Sequence, residues 1–450
     1  MRILSVLALA LAGCQLLVGI EKTTEIDGCL TECADDDPCT LDACVEGACV
    51  HDPRPVPEIT SESSGLCPGG TLTLTASESE SYLWSTGETT RSISVTEAGS
   101  YTVEHAGCAV PSLAYDVVAR DTSTISPQGP TTFCVGGTVN LTANQGASYL
   151  WSNGQTSREI TVSTSGAYTV QVDGCAASDP VLVTVQTPLA GSTQFDFSGS
   201  LQTFTVPMCV TRVRIDASGG QGGDGGAQPG QGGVGGMGAR VIGYFAVTPG
   251  DVYEVLVGGQ GGNNTSDGGG GGGGSFVWRM GVSANPIIGA GGGGGGSGYK
   301  PQGETNFCPM KNGRPGVTTV DGTAGEGGGG AAGTAGNGGG TSGDGGGGGG
   351  WFSGGQPGGL GGHGGPGGGG DFAATGVGAY GGGGIPGRGG GGAGGYSGGG
   401  AGDYATVDVG GGMIDYLYCG GGGGGSYNTG TDQTNSGGVR AGAGVVVISW

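Results

Sequence analysis

Four uninterrupted runs of glycine constrain the fold of this chain more than any other feature of its sequence. Each run holds six or seven residues: Gly268–Gly274, Gly291–Gly296, Gly345–Gly350 and Gly420–Gly425. Glycine accounts for 117 of the 450 residues, and 98 of these glycines lie from Gly219 onward. Because glycine has no side chain to bury and loses the most backbone freedom on folding, these runs cannot build an ordinary side-chain core.

The glycine runs could be flexible linkers, which is the usual property of such tracts. Serine is scarce inside the runs, however, and aromatic residues follow them, which a linker does not require: Phe276, Tyr299, Trp351, Phe372, Tyr404 and Tyr427. We therefore predict extended threefold helices, the polyglycine counterpart of the polyproline II helix, bonded laterally through backbone groups. Because fixing each glycine costs about 1–2 kcal/mol, such a bundle needs a template of apolar strands.

Apolar segments that lie between the glycine-rich stretches are predicted to be strands. In 212–217 every second residue is apolar, which is typical of a strand with one buried face. The predicted strands are Gln202–Val206, Thr211–Ala217, Ala239–Val247, Asp251–Val257, Ser275–Trp278, Pro286–Ala290, Met413–Tyr418 and Val445–Trp450. The predicted fold class is therefore all-β.

The segment 195–450 resembles a known family of glycine-rich domains. The resemblance rests on Phe204-Thr-Val-Pro, on Thr248-Pro-Gly-Asp-Val-Tyr-Glu-Val-Leu-Val-Gly-Gly and on the closing Gly442-Ala-Gly-Val-Val-Val-Ile-Ser-Trp. These motifs are similar to those of the extracellular glycine-rich domain shared by bacterial surface proteins and the anaplastic lymphoma kinase/leukocyte tyrosine kinase receptors. The resemblance implies a jelly-roll-like β-sandwich with inserted polyglycine helices, and it implies no particular binding residue.

Two tandem repeats precede the glycine-rich part. Cys67-Pro-Gly-Gly-Thr recurs as Cys134-Val-Gly-Gly-Thr, and Tyr82-Leu-Trp84 recurs as Tyr149-Leu-Trp151, each 67 residues later. Alternating apolar residues predict two small antiparallel sandwiches, spanning 56–120 and 121–188, each with a buried tryptophan. They resemble bacterial immunoglobulin-like (Ig-like) modules. We predict one internal disulfide in each, at Cys67–Cys108 and Cys134–Cys175.

A cysteine-rich neck, 14–55, precedes the repeats. Five cysteines lie within 21 residues, so disulfides are expected to hold this small segment together: Cys29, Cys33, Cys39, Cys44 and Cys49. Five is an odd number, so one of them, with Cys29 as first candidate, is expected to pair elsewhere. The pairing of Cys209, Cys308 and Cys419 is also left open. The spacing lacks the paired C-x-x-C of zinc sites, and Asp35–Asp37 lacks the spaced ligands of an EF-hand.

The first residues indicate export. A short apolar run, 3–12, ends in Leu11-Ala12-Gly13-Cys14. This pattern resembles the lipobox of bacterial lipoproteins, which implies a signal peptide at 1–13 and a lipid on Cys14. We expect attachment to the bacterial outer membrane through this lipid, with the chain exposed at the cell surface. The sequence alone does not decide between this outward orientation and a periplasmic one.

Charge and motifs exclude several classes of function. The formal net charge is −22, which argues against binding to nucleic acid. G-x-G-x-x-G matches are expected by chance in so glycine-rich a region, and the nucleophile-elbow pattern around Ser397 lacks a following helix. His105 is expected to be a surface residue. We predict no enzyme activity, no cofactor and no metal site, with calcium left open.

The expected function is structural or adhesive. The layout of an anchored neck, two spacer modules and a distal domain predicts contacts with surface or extracellular proteins or with polysaccharide. The alternative is a surface receptor whose acidic face binds a cationic protein or peptide. The ligand and the oligomeric state are left open.

Overall fold

A computed structural model describes residues 33–226, 232–264, 267–282, 285–298, 308, 310–343, 345–356, 384, 388–408 and 414–450. These residues form β-strands and no helix, which confirms the predicted all-β fold class. They therefore contain no helix of the length and hydropathy that crossing a bilayer requires. The chain divides into two compact units, one of Met1–Thr131 and Thr138–Thr184, the other of Thr132–Gly137 and Val185–Trp450.

The neck is a two-stranded hairpin. Strands β1 (Thr40–Val45) and β2 (Ala48–Pro53) pair antiparallel, with Cys44 directly opposite Cys49. Glu46 and Gly47 form the turn, and both have positive φ, as a two-residue type I′ turn requires. The Cys33–Cys49 disulfide links the second strand to the segment before the first. Cys44 is also disulfide-bonded.

The first repeat contains eight short strands in three small sheets. The sheet orders are β3-β5-β7, β4-β10-β8 and β6-β9. Leu74, Trp84 and Val103 are almost fully buried between the sheets. The strands are β3 (Ile59–Thr60), β4 (Gly65–Leu66), β5 (Leu72–Ala76), β6 (Leu83–Trp84), β7 (Ser92–Val95), β8 (Gly99–Tyr101), β9 (Val103–Glu104) and β10 (Tyr115–Ala119).

The second repeat reproduces these strands. The sheet β11-β13-β15 matches β3-β5-β7, and the pair β14-β17 matches β6-β9. Trp84 and Trp151 are both 2% exposed, and each indole N–H donates to a backbone carbonyl 2.8 Å away, which confirms the predicted buried tryptophans. The strands are β11 (Ile125–Pro127), β12 (Thr132–Cys134), β13 (Val139–Ala143), β14 (Tyr149–Trp151), β15 (Glu159–Val162), β16 (Gly166–Tyr168), β17 (Val170–Val172) and β18 (Val181–Gln186).

The predicted disulfides within the repeats, Cys67–Cys108 and Cys134–Cys175, were wrong. Cys67 bonds Cys175, and Cys134 bonds Cys209. The reason is that the two cysteines of the first repeat lie at opposite ends of its sandwich. Cys108 follows Gly107, which packs on Pro38 of the neck. Cys67 lies at the end nearest the second repeat, where Arg120 pairs with Asp173 at 2.6 Å.

The second unit contains a sandwich of two five-stranded sheets. Their orders are β19-β30-β21-β22-β29 and β20-β23-β24-β25-β28, and a separate pair is β26-β27. The strands are β19 (Ser192–Asp196), β20 (Gln202–Thr205), β21 (Arg212–Ser218), β22 (Gly238–Ala246), β23 (Val252–Leu256), β24 (Ser275–Arg279), β25 (Ile288–Ala290), β26 (Tyr404–Asp408), β27 (Ile414–Tyr418), β28 (Tyr427–Asn428), β29 (Thr431–Arg440) and β30 (Val445–Ser449).

The apolar core of this sandwich lies between its two large sheets. Ile215, Val241 and Ile448 come from one sheet, and Val255 and Val277 from the other, all at most 1% exposed. Every second residue of β21 contributes to this core, as the alternation in its sequence predicts. The glycine segments leave the ends of strands in both sheets, so the sandwich fixes where they start.

Candidate functional site

The most unusual site in the molecule is a buried core made of glycine segments, which we call the glycine core. The run that follows β25, Gly291–Gly298 with Ser297, is buried at every residue. Successive N–H groups of the run donate to three neighbouring segments in turn, so that every third residue donates to the same segment. Gly292, Gly295 and Gly298 donate to carbonyls of Gly394, Gly391 and Arg388, each at 2.8–2.9 Å.

The other residues of this run repeat the pattern with different neighbours. Gly293 and Gly296 donate to Gly220 and Gly223, and Gly294 and Ser297 donate to Arg314 and Lys311. The carbonyls of the run accept in the same rotation from three further segments, among them Gly236, Gly421 and Gly272. Each neighbouring segment therefore provides a partner at every third residue of the run, which is the repeat of a helix with three residues per turn.

At positions 291–296 and 298 of this run only glycine fits. A Cβ placed on Gly294 would lie 2.1 Å from the carbonyl oxygen of Gly421, and one on Gly291 would lie 2.1 Å from that of Gly424. These contacts are to backbone atoms, which no rotamer change can move aside. The absence of a side chain is therefore what allows neighbouring segments to approach to hydrogen-bonding distance.

Aromatic residues cover one side of the glycine core. Trp351 packs against Phe276 and Trp278 with ring centroids 5.4 and 5.3 Å apart, and Tyr396 stacks on Tyr427 at 4.4 Å. Of the aromatics that follow glycine runs, Phe276, Trp351 and Tyr427 join this cluster. Tyr404 is exposed, and Tyr299 and Phe372 lie outside the described residues.

Disulfides close two loops of the second unit. Cys308 bonds Cys419, which directly precedes the run Gly420–Gly425 and is fully buried. Cys209 bonds Cys134. The three cysteines whose pairing the sequence left open, Cys209, Cys308 and Cys419, are therefore all accounted for, and the odd number among them arose because one partner lies in the second repeat.

The neck brings together a group that sequence reasoning missed. Asp35, Asp42 and His51 are exposed and hold ligand-type atoms within 4.8 Å of one another. Asp42 lies directly across the hairpin from His51, and its Oδ1 is 2.5 Å from the imidazole Nδ1. This hydrogen bond raises the pKa of His51 and lowers that of Asp42. A cross-strand ion pair accounts for the geometry without a metal. The hairpin register could have identified the pair.

Two residues considered for catalysis are buried and used structurally. Ser397 is fully buried in the glycine core, and its hydroxyl accepts a hydrogen bond from the N–H of Gly336 at 2.9 Å. His105 was expected at the surface, and this was wrong, because only 7% of it is exposed. Its Nε2 lies 2.9 Å from the Pro55 carbonyl and its Nδ1 lies 2.6 Å from the Ser79 hydroxyl.

The predicted lipidation site Cys14 and the neck cysteine Cys29 lie outside the described residues, so both stay predictions. Cys39 and Cys108 carry free thiols. The structure brings their two segments together, since Gly107, the residue before Cys108, packs on Pro38, the residue before Cys39.

Comparison with known proteins gives little guidance. No protein-family profile matches the chain, and no curated protein matches it. A solved structure of three N-terminal domains of the bacteriophage RB49 Highly Immunogenic Outer Capsid protein (Hoc) is similar at 15% sequence identity. The match covers 52% of this chain and 94% of that chain, with a TM-score of 0.20. At so low a TM-score the likeness carries no argument about fold or function.

Proposed function

We propose that the chain is a non-enzymatic, lipid-anchored protein of the bacterial cell surface with a structural or adhesive role. In this proposal Cys14 holds the lipid, the two repeats are Ig-like spacer modules, and the second unit is a jelly-roll-like domain with polyglycine helices. That domain resembles the glycine-rich domain of the anaplastic lymphoma kinase/leukocyte tyrosine kinase receptors in its sequence motifs.

The observation that carries a structural role is the covalent junction between the repeats. The Cys67–Cys175 disulfide joins them, and the Arg120–Asp173 ion pair at 2.6 Å lies at the same junction. A flexible tether needs neither feature. Disulfides persist in oxidising compartments, so the disulfides of this chain also support export.

The test of anchoring compares the wild type with Cys14→Ser in bacteria. We expect the wild type in the membrane fraction and open to added protease on intact cells, and the variant in the soluble fraction. A wild-type protein that fractionates like the variant would contradict anchoring, and protection from protease would contradict surface exposure.

The second candidate is a surface receptor for a cationic protein or peptide. The net charge of −22 favours it, because so acidic a chain attracts cationic partners at long range. Salt distinguishes the two candidates. Binding to cells or matrix that is lost at about 0.5 M NaCl, where charges are strongly screened, supports the receptor. Binding that survives this salt supports adhesion.

A further inference from the structure

Two cysteines of the first unit are unbonded while the others that the structure describes are disulfide-bonded. The free pair is Cys39, half-buried in the neck, and Cys108, buried in the first repeat. The bonded cysteines are Cys33, Cys44, Cys49, Cys67, Cys134, Cys175, Cys209, Cys308 and Cys419. In a chain so rich in disulfides, two adjacent free thiols require an explanation.

The surroundings of the two thiols hold the neck against the first repeat. A Cβ on Gly107, the residue before Cys108, would lie 3.2 Å from Cγ of Pro38, the residue before Cys39. Nearby, the Pro55 carbonyl can only accept, so His105 Nε2 donates to it at 2.9 Å. Both cysteines are therefore fixed next to each other by contacts outside the pair.

The second repeat shows how the cysteine equivalent to Cys108 is bonded. Cys108 corresponds to Cys175, 67 residues later. Both follow a glycine with positive φ, and both N–H groups donate at 3.0 Å to the residue three positions earlier. Cys175 bonds Cys67, which belongs to the module before it. Cys108 belongs to the first repeat, and the part of the chain before that repeat is the neck. The neck contains Cys39.

We propose that Cys39 and Cys108 form a disulfide, which ties the neck to the first repeat as Cys67–Cys175 ties the first repeat to the second. The two thiols lose two protons and two electrons, and the acceptor is the disulfide of a thiol–disulfide oxidoreductase, which is released as a dithiol. One thiolate first forms a mixed disulfide with this oxidant. The other thiolate then displaces the oxidant and closes the S–S bond.

The chemistry of the reduced pair determines how it must be assayed. The hydrogen bond with Cys108, burial and the neighbouring Asp37 raise the pKa of Cys39 to about 12. Because the thiolate is the reactive form, a folded reduced pair reacts slowly with alkylating agents. Alkylation must therefore follow unfolding in denaturant, so that a reduced pair is not mistaken for a bonded one.

The test is a cysteine map of the full-length protein exported into an oxidising compartment. After unfolding and alkylation without reductant, digestion with Asp-N and chymotrypsin isolates Cys39 in 37–41 and Cys108 in 102–113. The same digest isolates Cys67 in 67–72 and Cys175 in 173–178 as an internal control. We expect both linked pairs. Alkylated Cys39 and Cys108 beside an intact control pair, or either cysteine linked to a different partner, would overturn the proposal.

A variant pair gives an independent readout. Cys39→Ser/Cys108→Ser is expected to lower the melting temperature of the first unit by about 5 °C or more, because the bond closes a long loop. Added reductant should then lower it less than in the wild type. An unchanged melting temperature would count against the bond. If the variant does not fold, the wild-type map still decides.

Discussion

Cys67 and Cys175 form a disulfide across 108 residues of sequence, which joins the first repeat to the second. The two cysteines belong to different repeats, so the bond lies at the junction between them. The ion pair between Arg120 and Asp173 lies beside them and borders a cavity of about 250 Å³ at this junction. The repeats of the first unit are thus held together by a covalent bond as well as by packing.

Removal of this disulfide is expected to destabilise the first unit strongly. A disulfide that closes a loop of about 100 residues contributes roughly 4–5 kcal/mol in the chain-entropy model. We expect Cys67→Ser/Cys175→Ser to lose a stability of this order, measured by chemical denaturation of the oxidised protein. A loss below about 1 kcal/mol would show that packing alone holds the junction.

The glycine core is expected to reject even one methyl group. In Gly294→Ala the new Cβ would meet the carbonyl oxygen of Gly421 at 2.1 Å, so backbone segments must separate. We expect a loss of about 3 kcal/mol or more in the second unit, at the upper end for overpacked cores. The measurement is the thermal unfolding transition of that unit.

The matched control is Gly343→Ala in the same unit. Its Cβ would meet nothing closer than 3.9 Å, and its φ is not positive. We expect a change within about 0.5 kcal/mol. Equal effects of the two substitutions would mean that the glycine segments do not pack as described.

The buried tryptophans are expected to be equivalent in the two repeats. Trp84→Ala and Trp151→Ala should each destabilise the first unit by about 3–5 kcal/mol, because each leaves a large cavity and an unpaired carbonyl. Leu150→Ala, at a side chain that is 51% exposed, is the control and should change stability little. Denaturation in urea measures all three. A tryptophan variant as stable as the control would argue against the repeat core.

Acid is expected to weaken the second unit through Asp216. Burial alone would raise the pKa of Asp216, but hydrogen bonds and charges from Arg240 and Arg214 outweigh burial and lower it. Arg240 reaches both carboxylate oxygens, at 2.8 and 2.5 Å. The contribution of Asp216 is thus fully present above the unfolded pKa of about 3.9 and is lost as pH falls through the folded pKa.

The test compares the wild type with Asp216→Asn between pH 2 and 7. We expect the wild type to be more stable by about 1–3 kcal/mol at pH 7, and this difference to shrink below about pH 4. A difference that stays constant over the whole range would show that the Asp216 charge contributes nothing.

The sequence was a good guide wherever one face of a strand is apolar. The predicted strands of the second unit are strands in the structure, such as the one predicted at Thr211–Ala217 and observed at Arg212–Ser218. The ten-residue strand Thr431–Arg440 was missed because it has no apolar alternation and is mostly exposed. It is a strand because it pairs with the edge of Gly238–Ala246, a tertiary contact that its own residues do not encode.

Disulfide pairing was not predictable from the repeat. Two cysteines in one repeat suggest a bond between them, yet the pairing depends on which end of the sandwich each cysteine occupies. The parity of the cysteine counts was the better signal, because odd numbers in the neck and in the glycine-rich part already indicated bonds between segments. The hydrogen-bond partners of the glycine runs could not be predicted from the sequence either, because identical residues do not specify which run lies beside which.

The most direct test of the glycine core is amide hydrogen exchange of 291–298 in the oxidised protein. In the structure, the N–H groups of 292–298 all donate to backbone carbonyls of other segments. The account predicts exchange at least about a thousandfold slower than in an unstructured chain, comparable to that of the neighbouring sandwich strands. Exchange of these amides at the rate of a flexible linker would contradict it.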